Sequence, residues 1–184
     1  SEKKKYKIFG FSKGKNRSGR TDFEYQDIDI TNKKFLEEKI KQIKPNFIIN
    51  TAAMTNVDAC ENDKTGCYDL NVNVVEYLIT ICEEINAHLI HISTDFIFDG
   101  TKGNYTEEDI PNPLSYYGKT KLISEQLLQK STIKFTILRT ILVYGLVIDM
   151  SRSNIVLWVK ESLENKKEIT IVNDQFRTPT FVED

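Results

Sequence analysis

The sequence predicts an α/β fold built on a doubly wound parallel sheet, with helices on both faces. The first observation is a set of short runs rich in β-branched and aromatic residues, typical of strands buried on both sides. The second is that amphipathic segments separate these runs, so strand and helix alternate along the chain. The predicted strands are Tyr6–Phe11, Phe47–Asn50, His88–Ser93, Phe135–Val143 and Ile169–Val172.

The helical segments are identified by apolar residues that recur every three or four positions. In the first segment, Leu36, Ile40 and Ile43 fall on one stripe, and this spacing predicts a helix with one apolar face. The predicted helices are Asn32–Ile43, Asp69–Glu84, Leu122–Leu128 and Ile155–Leu163.

Composition and charge narrow the function classes. The chain has 184 residues, of which 40% are hydrophobic, and this is enough for one well-buried domain. A net charge of −2 gives no overall field that would attract nucleic acid. No apolar run approaches the ~20 residues of a membrane-spanning helix. We therefore expect neither a nucleic-acid partner nor a membrane partner.

The cysteines indicate the compartment. Cys60, Cys67 and Cys82 are an odd number and lack the spacing of a zinc site, so we expect no disulfide framework and no metal. The basic N-terminus lacks the apolar core of a signal peptide. A reducing cytoplasm is the expected location.

The segment from Asp99 to Pro113 is rich in turn-forming residues and predicts a long loop. Loops that follow interior strands of α/β sheets lie at the carboxyl edge, where such folds bind their ligands. We interpret this loop as a candidate substrate lid.

Tyr117 and Lys121 are four residues apart, which puts both side chains on one face of a helix. An ammonium group close to a phenol favours the phenolate and is expected to lower the pKa of the tyrosine. Such a tyrosine can exchange a proton with a substrate. The spacing alone is also common in surface helices, so it needs support from elsewhere in the chain.

Support comes from the strand that ends in Ser93, Thr94 and Asp95. A hydroxyl at its carboxyl end can hold a carbonyl oxygen beside the tyrosine. The alternative is that Thr94 caps a helix or turn, but the apolar residues that follow Asp95 predict no helix there.

These motifs occur within a longer pattern that resembles the dTDP-4-dehydrorhamnose reductase family. The resemblance covers essentially the whole chain. The segments that carry it are 50–58, 92–100, 105–109, 111–113, 116–121 with Glu125, 138–145, 174–175 and 179–180.

The resemblance implies a Rossmann-type fold that binds NADPH or NADH and reduces a 4-keto sugar carried on a nucleoside diphosphate. It implies that Tyr117 donates the proton, that Lys121 partners it and also binds the cofactor, and that Thr94 helps to hold the carbonyl. The other residues that it implies for cofactor binding are Asp29, Ile30, Ala52, Ala53 and Thr55, and those for substrate binding are Asp95, Phe96, Leu142 and Arg177.

The residues after the predicted strand Tyr6–Phe11 favour NADPH over NADH. Enzymes that prefer NADH usually place an acidic residue here, whereas a cation accommodates the 2′-phosphate. This chain has Ser12 and Lys13, with Lys15 and Arg17 close by.

Two features depart from the family pattern. No G-x-x-G-x-x-G sequence occurs in the chain. We therefore expect the first strand of the Rossmann fold and the phosphate-binding loop that follows it to be missing from this chain. Leu142 stands where the family has a tryptophan in the sugar pocket, so the identity of the sugar stays open. Arg177 is a candidate diphosphate contact, with a surface salt bridge as the equal alternative.

We predict an incomplete cofactor-binding domain over residues 1–145 and the start of a substrate-binding region over 146–184. A homodimer is a candidate assembly. Two rival functions remain: a regulatory subunit of the same fold that binds nucleotide without turnover, and a sugar-nucleotide epimerase or dehydratase. Retention of Thr94, Tyr117 and Lys121 favours a catalyst over the regulatory subunit, and the loop after Asp99 favours the reductase.

Overall fold

The computed structural model describes residues 6–145, 155–174 and 177–182. Its strands are β1 (Phe9–Ser12), β2 (Glu24–Asp27), β3 (Phe47–Asn50), β4 (His88–Thr94), β5 (Phe135–Thr140), β6 (Leu142–Tyr144) and β7 (Pro179–Phe181). Its α-helices are α1 (Lys33–Ile43), α2 (Val57–Asn62), α3 (Lys64–Tyr68), α4 (Val74–Ile85), α5 (Tyr116–Lys130) and α6 (Ile155–Glu164). A π-helical stretch (Asp69–Asn73) joins α3 to α4.

All pairs of hydrogen-bonded strands are parallel, as predicted. Strand β4 lies between β3 and β5, while β1 pairs with β2 and β6 pairs with β7. In the register of the three-stranded sheet, Asn50 lies opposite His91 and Ser93 opposite Arg139. Paired residues of a parallel sheet project from the same face, so these side chains share one side of the sheet.

Helices α1, α4 and α5 cover that side. Leu36 and Ile40 of α1, Leu78 of α4 and Leu128 of α5 form one buried cluster with Leu89 of β4. On the opposite face of the same sheet, the part of the chain described here leaves three apolar side chains about half exposed: Phe47, Ile49 and Leu138.

Several elements differ from the sequence prediction, and helices α2 and α3 and strand β7 were not predicted. Strand β2 was not predicted because its sequence, Glu-Tyr-Gln-Asp, has no apolar run. The predicted strand Ile169–Val172 is wrong: the segment forms no strand, and Ile171 and Val172 are exposed. The single predicted strand Phe135–Val143 is divided at Ile141 into β5 and β6.

Helix α5 begins six residues earlier than predicted, at Tyr116. Ser115 caps it, because its Oγ accepts a hydrogen bond from the Gly118 amide at 3.1 Å. The cap places Tyr117 in the first turn and Lys121 in the second. Both side chains therefore lie near the carboxyl ends of β4 and β5.

Candidate active site

Tyr117 is buried at the start of α5, with 8% of its surface exposed. The Phe96 ring meets its ring edge-on, with centroids 5.7 Å apart. Gly118 permits this approach, since a Cβ there would lie 2.2 Å from the Phe96 carbonyl oxygen. The start of α5 and the chain after β4 are thus held against each other around the phenol.

Lys121 is almost completely buried, with 2% of its surface exposed. Its Nζ donates to the Ile92 carbonyl at 2.7 Å and lies 3.0 Å from His91 Nε2. Burial lowers the pKa of Lys121 to about 8, while the Glu125 carboxylate acts in the opposite direction. Lys121 is therefore poised to exchange a proton near neutral pH.

The pKa of Tyr117 is raised by burial, and the nearby Thr94 side chain acts in the opposite direction. This is opposite to the lowering by Lys121 that the sequence predicted, because the Lys121 amine points to β4. The phenol is therefore protonated at neutral pH. A protonated phenol suits a group that donates a proton to a substrate oxygen.

Thr94 ends β4 and caps a short 3₁₀ turn formed by Asp95–Ile97. Its Oγ1 accepts from the Phe96 amide at 3.2 Å and lies 3.2 Å from Asp95 Oδ1. The expectation that no helical turn follows Asp95 is wrong. A 3₁₀ turn needs only three residues, so the apolar side chains after Asp95 do not prevent it.

A fully buried carboxylate lies one helical turn beyond Lys121. Glu125 forms a salt bridge with Arg139 at 2.8 Å and accepts a hydrogen bond from Ser93 at 2.5 Å. It joins α5 to β4 and β5. The sequence alone predicts no role for Glu125, because a single acidic residue in a helix does not indicate which distant residue it pairs with.

The residues predicted to bind the adenosine part of the cofactor lie after β1 and β2. Lys13 forms a salt bridge with Asp29 at 2.9 Å. Asp29 also accepts from Thr31, and these bonds lower its pKa to about 2. Ser12 lies 2.8 Å from the Tyr25 hydroxyl, and Ile30 packs against the core. The structure thus brings Lys13 and Asp29 together.

After β3, a side chain of the strand holds the backbone that follows it. The Ala52 amide donates to Asn50 Oδ1 at 3.2 Å. Ala52 and Ala53 are half-buried and Thr55 is exposed. Two small residues at the carboxyl end of a strand leave room for a ligand to approach the backbone.

Three of the residues predicted to bind substrate form a cluster beside Tyr117. The Arg177 guanidinium lies 5.3 Å from the centre of the Phe96 ring and 3.9 Å from Asp95 Oδ2. Leu142 is half-buried on β6, opposite Pro179, which follows Arg177 by two residues. Arg177 therefore stands where its charge reaches the edge of the site.

The predicted loop after β4 is present and is held by its own side chains. Asp99 accepts hydrogen bonds from Thr101, Tyr105 and Asn112, and these bonds lower its pKa. The Phe98 and Tyr105 rings stack with centroids 4.3 Å apart. These contacts hold the loop together, and its role as a lid stays a prediction.

These positions bear on whether a dinucleotide fits. Lys13 is 80% exposed and follows β1, which pairs with β2. Ala52 and Ala53 follow β3, which belongs to the same sheet as β4. The chemistry of these residues suits a dinucleotide, because a cation and two small residues follow strands, while the chain carries no glycine-rich sequence for its diphosphate.

Comparison with known proteins identifies the family. The protein family described as "RmlD substrate binding domain" matches residues 11–184. This chain belongs to that family. A dTDP-4-dehydrorhamnose reductase from Aggregatibacter actinomycetemcomitans is 38% identical over 86% of this chain and 53% of its own length. Methionine adenosyltransferase 2 subunit beta from Bos taurus is 32% identical over 87% of this chain and 48% of its own length.

Solved structures agree. A dTDP-4-dehydrorhamnose reductase from Bacillus anthracis in complex with NADP aligns with a TM-score of 0.81 at 27% identity, over 97% of this chain and 67% of that one. The resemblance and the Rossmann-type fold class are confirmed. This member of the RmlD family spans about half the length of the curated relatives it matches.

No helix in the described residues is long and apolar enough to cross a membrane. Among the same residues, no three His, Cys, Asp or Glu side chains lie together in a group that could hold a metal ion. Cys60, Cys67 and Cys82 are buried free thiols. Burial raises the pKa of Cys60 to about 12 and that of Cys82 to about 11.

Proposed function

We propose that this chain supplies the catalytic residues of an NADPH-dependent reductase that acts on a 4-keto sugar of a nucleoside diphosphate sugar. The observation that carries the proposal is the buried, protonated Tyr117 one helical turn from Lys121 and beside Thr94. The relatives named dTDP-4-dehydrorhamnose reductase, one of them in complex with NADP, support it.

The bound nicotinamide would supply the hydride to the C4 carbon of the sugar. Tyr117 would donate its hydroxyl proton to the carbonyl oxygen, and the Thr94 hydroxyl would hold that oxygen through the change in charge. Lys121, whose amine points to β4, would then return a proton to the Tyr117 oxygen through water. Its pKa of about 8 lets it give up that proton at little cost.

The remaining predicted residues have places in this proposal. Lys13, with Ser12 and Asp29, would lie at the adenosine end of the cofactor. Arg177 would contact the diphosphate of the substrate and lies in the region 146–184, which we propose as the start of the substrate-binding part. The three buried free thiols support a reducing compartment such as the cytoplasm.

Replacement of Tyr117 tests the proposal. In the natural full-length protein, Tyr117→Phe should lower kcat for NADPH-dependent reduction of a 4-keto sugar nucleotide by at least about a hundredfold, because it removes the proton donor. NADPH affinity should stay within a few-fold. Tyr116→Phe is the matched control, since Tyr116 precedes Tyr117 on α5 and packs against Lys64. Equal turnover in the two variants would overturn the proposal.

A second candidate is a regulatory subunit without turnover, because methionine adenosyltransferase 2 subunit beta is a relative at 32% identity. The two candidates differ in one observable. A regulatory subunit would bind the nucleotide and show no oxidation of NADPH with any 4-keto sugar nucleotide.

A further inference from the structure

His91 lies in the middle of β4, with 1% of its surface exposed. Asn50, its neighbour in the sheet register, projects from the same face of the sheet. Helix α5 covers that face and brings Ser124 and Lys121 to the other side of the imidazole. Both ring nitrogens of His91 therefore have polar partners in a buried site.

Asn50 determines which nitrogen of His91 carries the proton. The Ala52 amide donates to Asn50 Oδ1 at 3.2 Å, so the Asn50 amide nitrogen points to His91 Nδ1, also at 3.2 Å. An amide N–H is a donor and requires Nδ1 to accept. In this arrangement the His91 proton is on Nε2.

Two groups face that Nε2–H. Ser124 Oγ uses its proton on the Lys121 carbonyl at 2.7 Å, so it can only accept from His91, at 3.1 Å. The Lys121 amine lies 3.0 Å from the same nitrogen. A neutral amine has a lone pair for this N–H, whereas an ammonium would set two donors face to face. The network is complete with a neutral Lys121.

A charged Lys121 fits the other tautomer. Nε2 then accepts from the ammonium, Nδ1 carries the proton, and the Asn50 amide turns its oxygen to Nδ1 and gives up its bond from the Ala52 amide. Among the charged groups nearby, Glu125 favours the ammonium from one helical turn away and is itself bound by Arg139 and Ser93. Asp95 lies beside Tyr117 and Arg177. His91 itself stays neutral, because burial and Lys121 lower its pKa to about 3.

We propose that His91 is a positioning residue whose tautomer is coupled to the charge on Lys121, and that it holds the neutral amine left after proton return to Tyr117. This rests on the proposed function. Tyr117 gives its proton to the carbonyl oxygen, and the Lys121 ammonium gives one to the Tyr117 oxygen through water. The His91 ring then loses its Nδ1 proton to water and takes one from water on Nε2. This N–H donates to the amine lone pair until a proton from water restores the ammonium and the tautomer reverts.

Nitrogen NMR of the full-length protein with ¹⁵N-labelled histidine tests the coupling without catalysis. The signals of His91 are those that are missing from the spectra of His91→Gln. We expect a neutral ring from about pH 6 to about pH 10 whose proton moves from Nδ1 to Nε2 as the pH rises. In Lys121→Met this change should vanish. A tautomer that ignores pH, or changes equally in Lys121→Met, would overturn the proposal.

The pH profile of kcat tests the consequence for turnover. In His91→Gln, the amide oxygen can accept from the ammonium without a change of tautomer, so the basic limb should move up by about one pH unit. His88→Gln is the matched control, because His88 lies on the same strand and contacts Thr136. Absence of reductase activity would refute the proposed function and leave the NMR result intact. An active enzyme with the same basic limb in both variants would refute the role of His91 alone.

Discussion

Lys13, which the sequence predicts to favour NADPH, forms a salt bridge with Asp29 at 2.9 Å. Lys13 is exposed and its pKa is raised by its hydrogen bond to Asp29, so it is positively charged at all physiological pH values. A 2′-phosphate on the adenosine ribose would offer it a second anionic partner. We therefore propose that Lys13 contacts the 2′-phosphate of NADPH in addition to Asp29.

Replacement of Lys13 should therefore affect the two cofactors unequally. Lys13→Ala should raise the KM for NADPH several-fold and leave the KM for NADH nearly unchanged. Lys7→Ala is the control, because Lys7 forms an equally short salt bridge, with Glu24, near the start of β1. Equal changes for NADPH and NADH in Lys13→Ala would show that Lys13 does not contact the 2′-phosphate.

Burial of Lys121 should cost folding stability. Its pKa falls from the ordinary 10.5 to about 8 on folding, so between these two values the unfolded chain binds the proton and the folded chain does not. Stability of the wild type therefore rises with pH through this window and is lowest below about pH 8. Lys121→Met should be more stable at pH 7 by about 1–3 kcal/mol, with the difference shrinking towards pH 10. Urea unfolding at both pH values measures it, and a difference independent of pH would contradict this account.

At the scale of elements, the Glu125–Arg139 pair joins α5 to β5. Glu125 is fully buried and Arg139 is 21% exposed, so the two partners are not equivalent when one is removed. Arg139 can turn towards water, whereas a Glu125 carboxylate without its partner stays in the interior.

Arg139→Met should thus destabilise the protein by about 3 kcal/mol. Glu125→Gln should cost about 1 kcal/mol, because the amide keeps an acceptor for Ser93 and Arg139. Chemical denaturation of the two variants checks the order. If Glu125→Gln were the more damaging change, the pair would not hold α5 against β5 in the way described.

Elements with a strong local pattern could be predicted from the sequence, and those that depend on distant partners could not. Strands β3 and β4 and helices α1 and α4 carry apolar periodicity of their own. Polar β2 is a strand only because β1 pairs with it, and apolar Ile169–Val172 is not one because no described strand pairs with it.

The same limit applies to the site. The spacing of Tyr117 and Lys121 is local, so the sequence contained it. The contacts of Lys121 with His91 and Ile92 depend on where α5 meets β4, and they reverse the predicted effect on the pKa of Tyr117. Burial alternates along β4 in the structure, and His91 lies on the face that α5 covers.

For the whole molecule, the reaction that we propose is net reduction of the sugar by hydride transfer. Members of this fold include sugar-nucleotide reductases and proteins named for other roles, so the fold does not decide the reaction. The residues around Tyr117 favour a proton donor, and a proton donor completes a reduction only if the hydride stays on the product. An epimerase would instead return the hydride to its source and leave the cofactor unchanged.

A single turnover of the full-length protein with NADPH deuterated at C4 of the nicotinamide tests this claim most directly. With a 4-keto sugar nucleotide as substrate, the account predicts one deuterium at C4 of the product sugar for each NADP formed. Deuterium that remains in the nicotinamide while the sugar keeps its carbonyl or changes only its stereochemistry would contradict it.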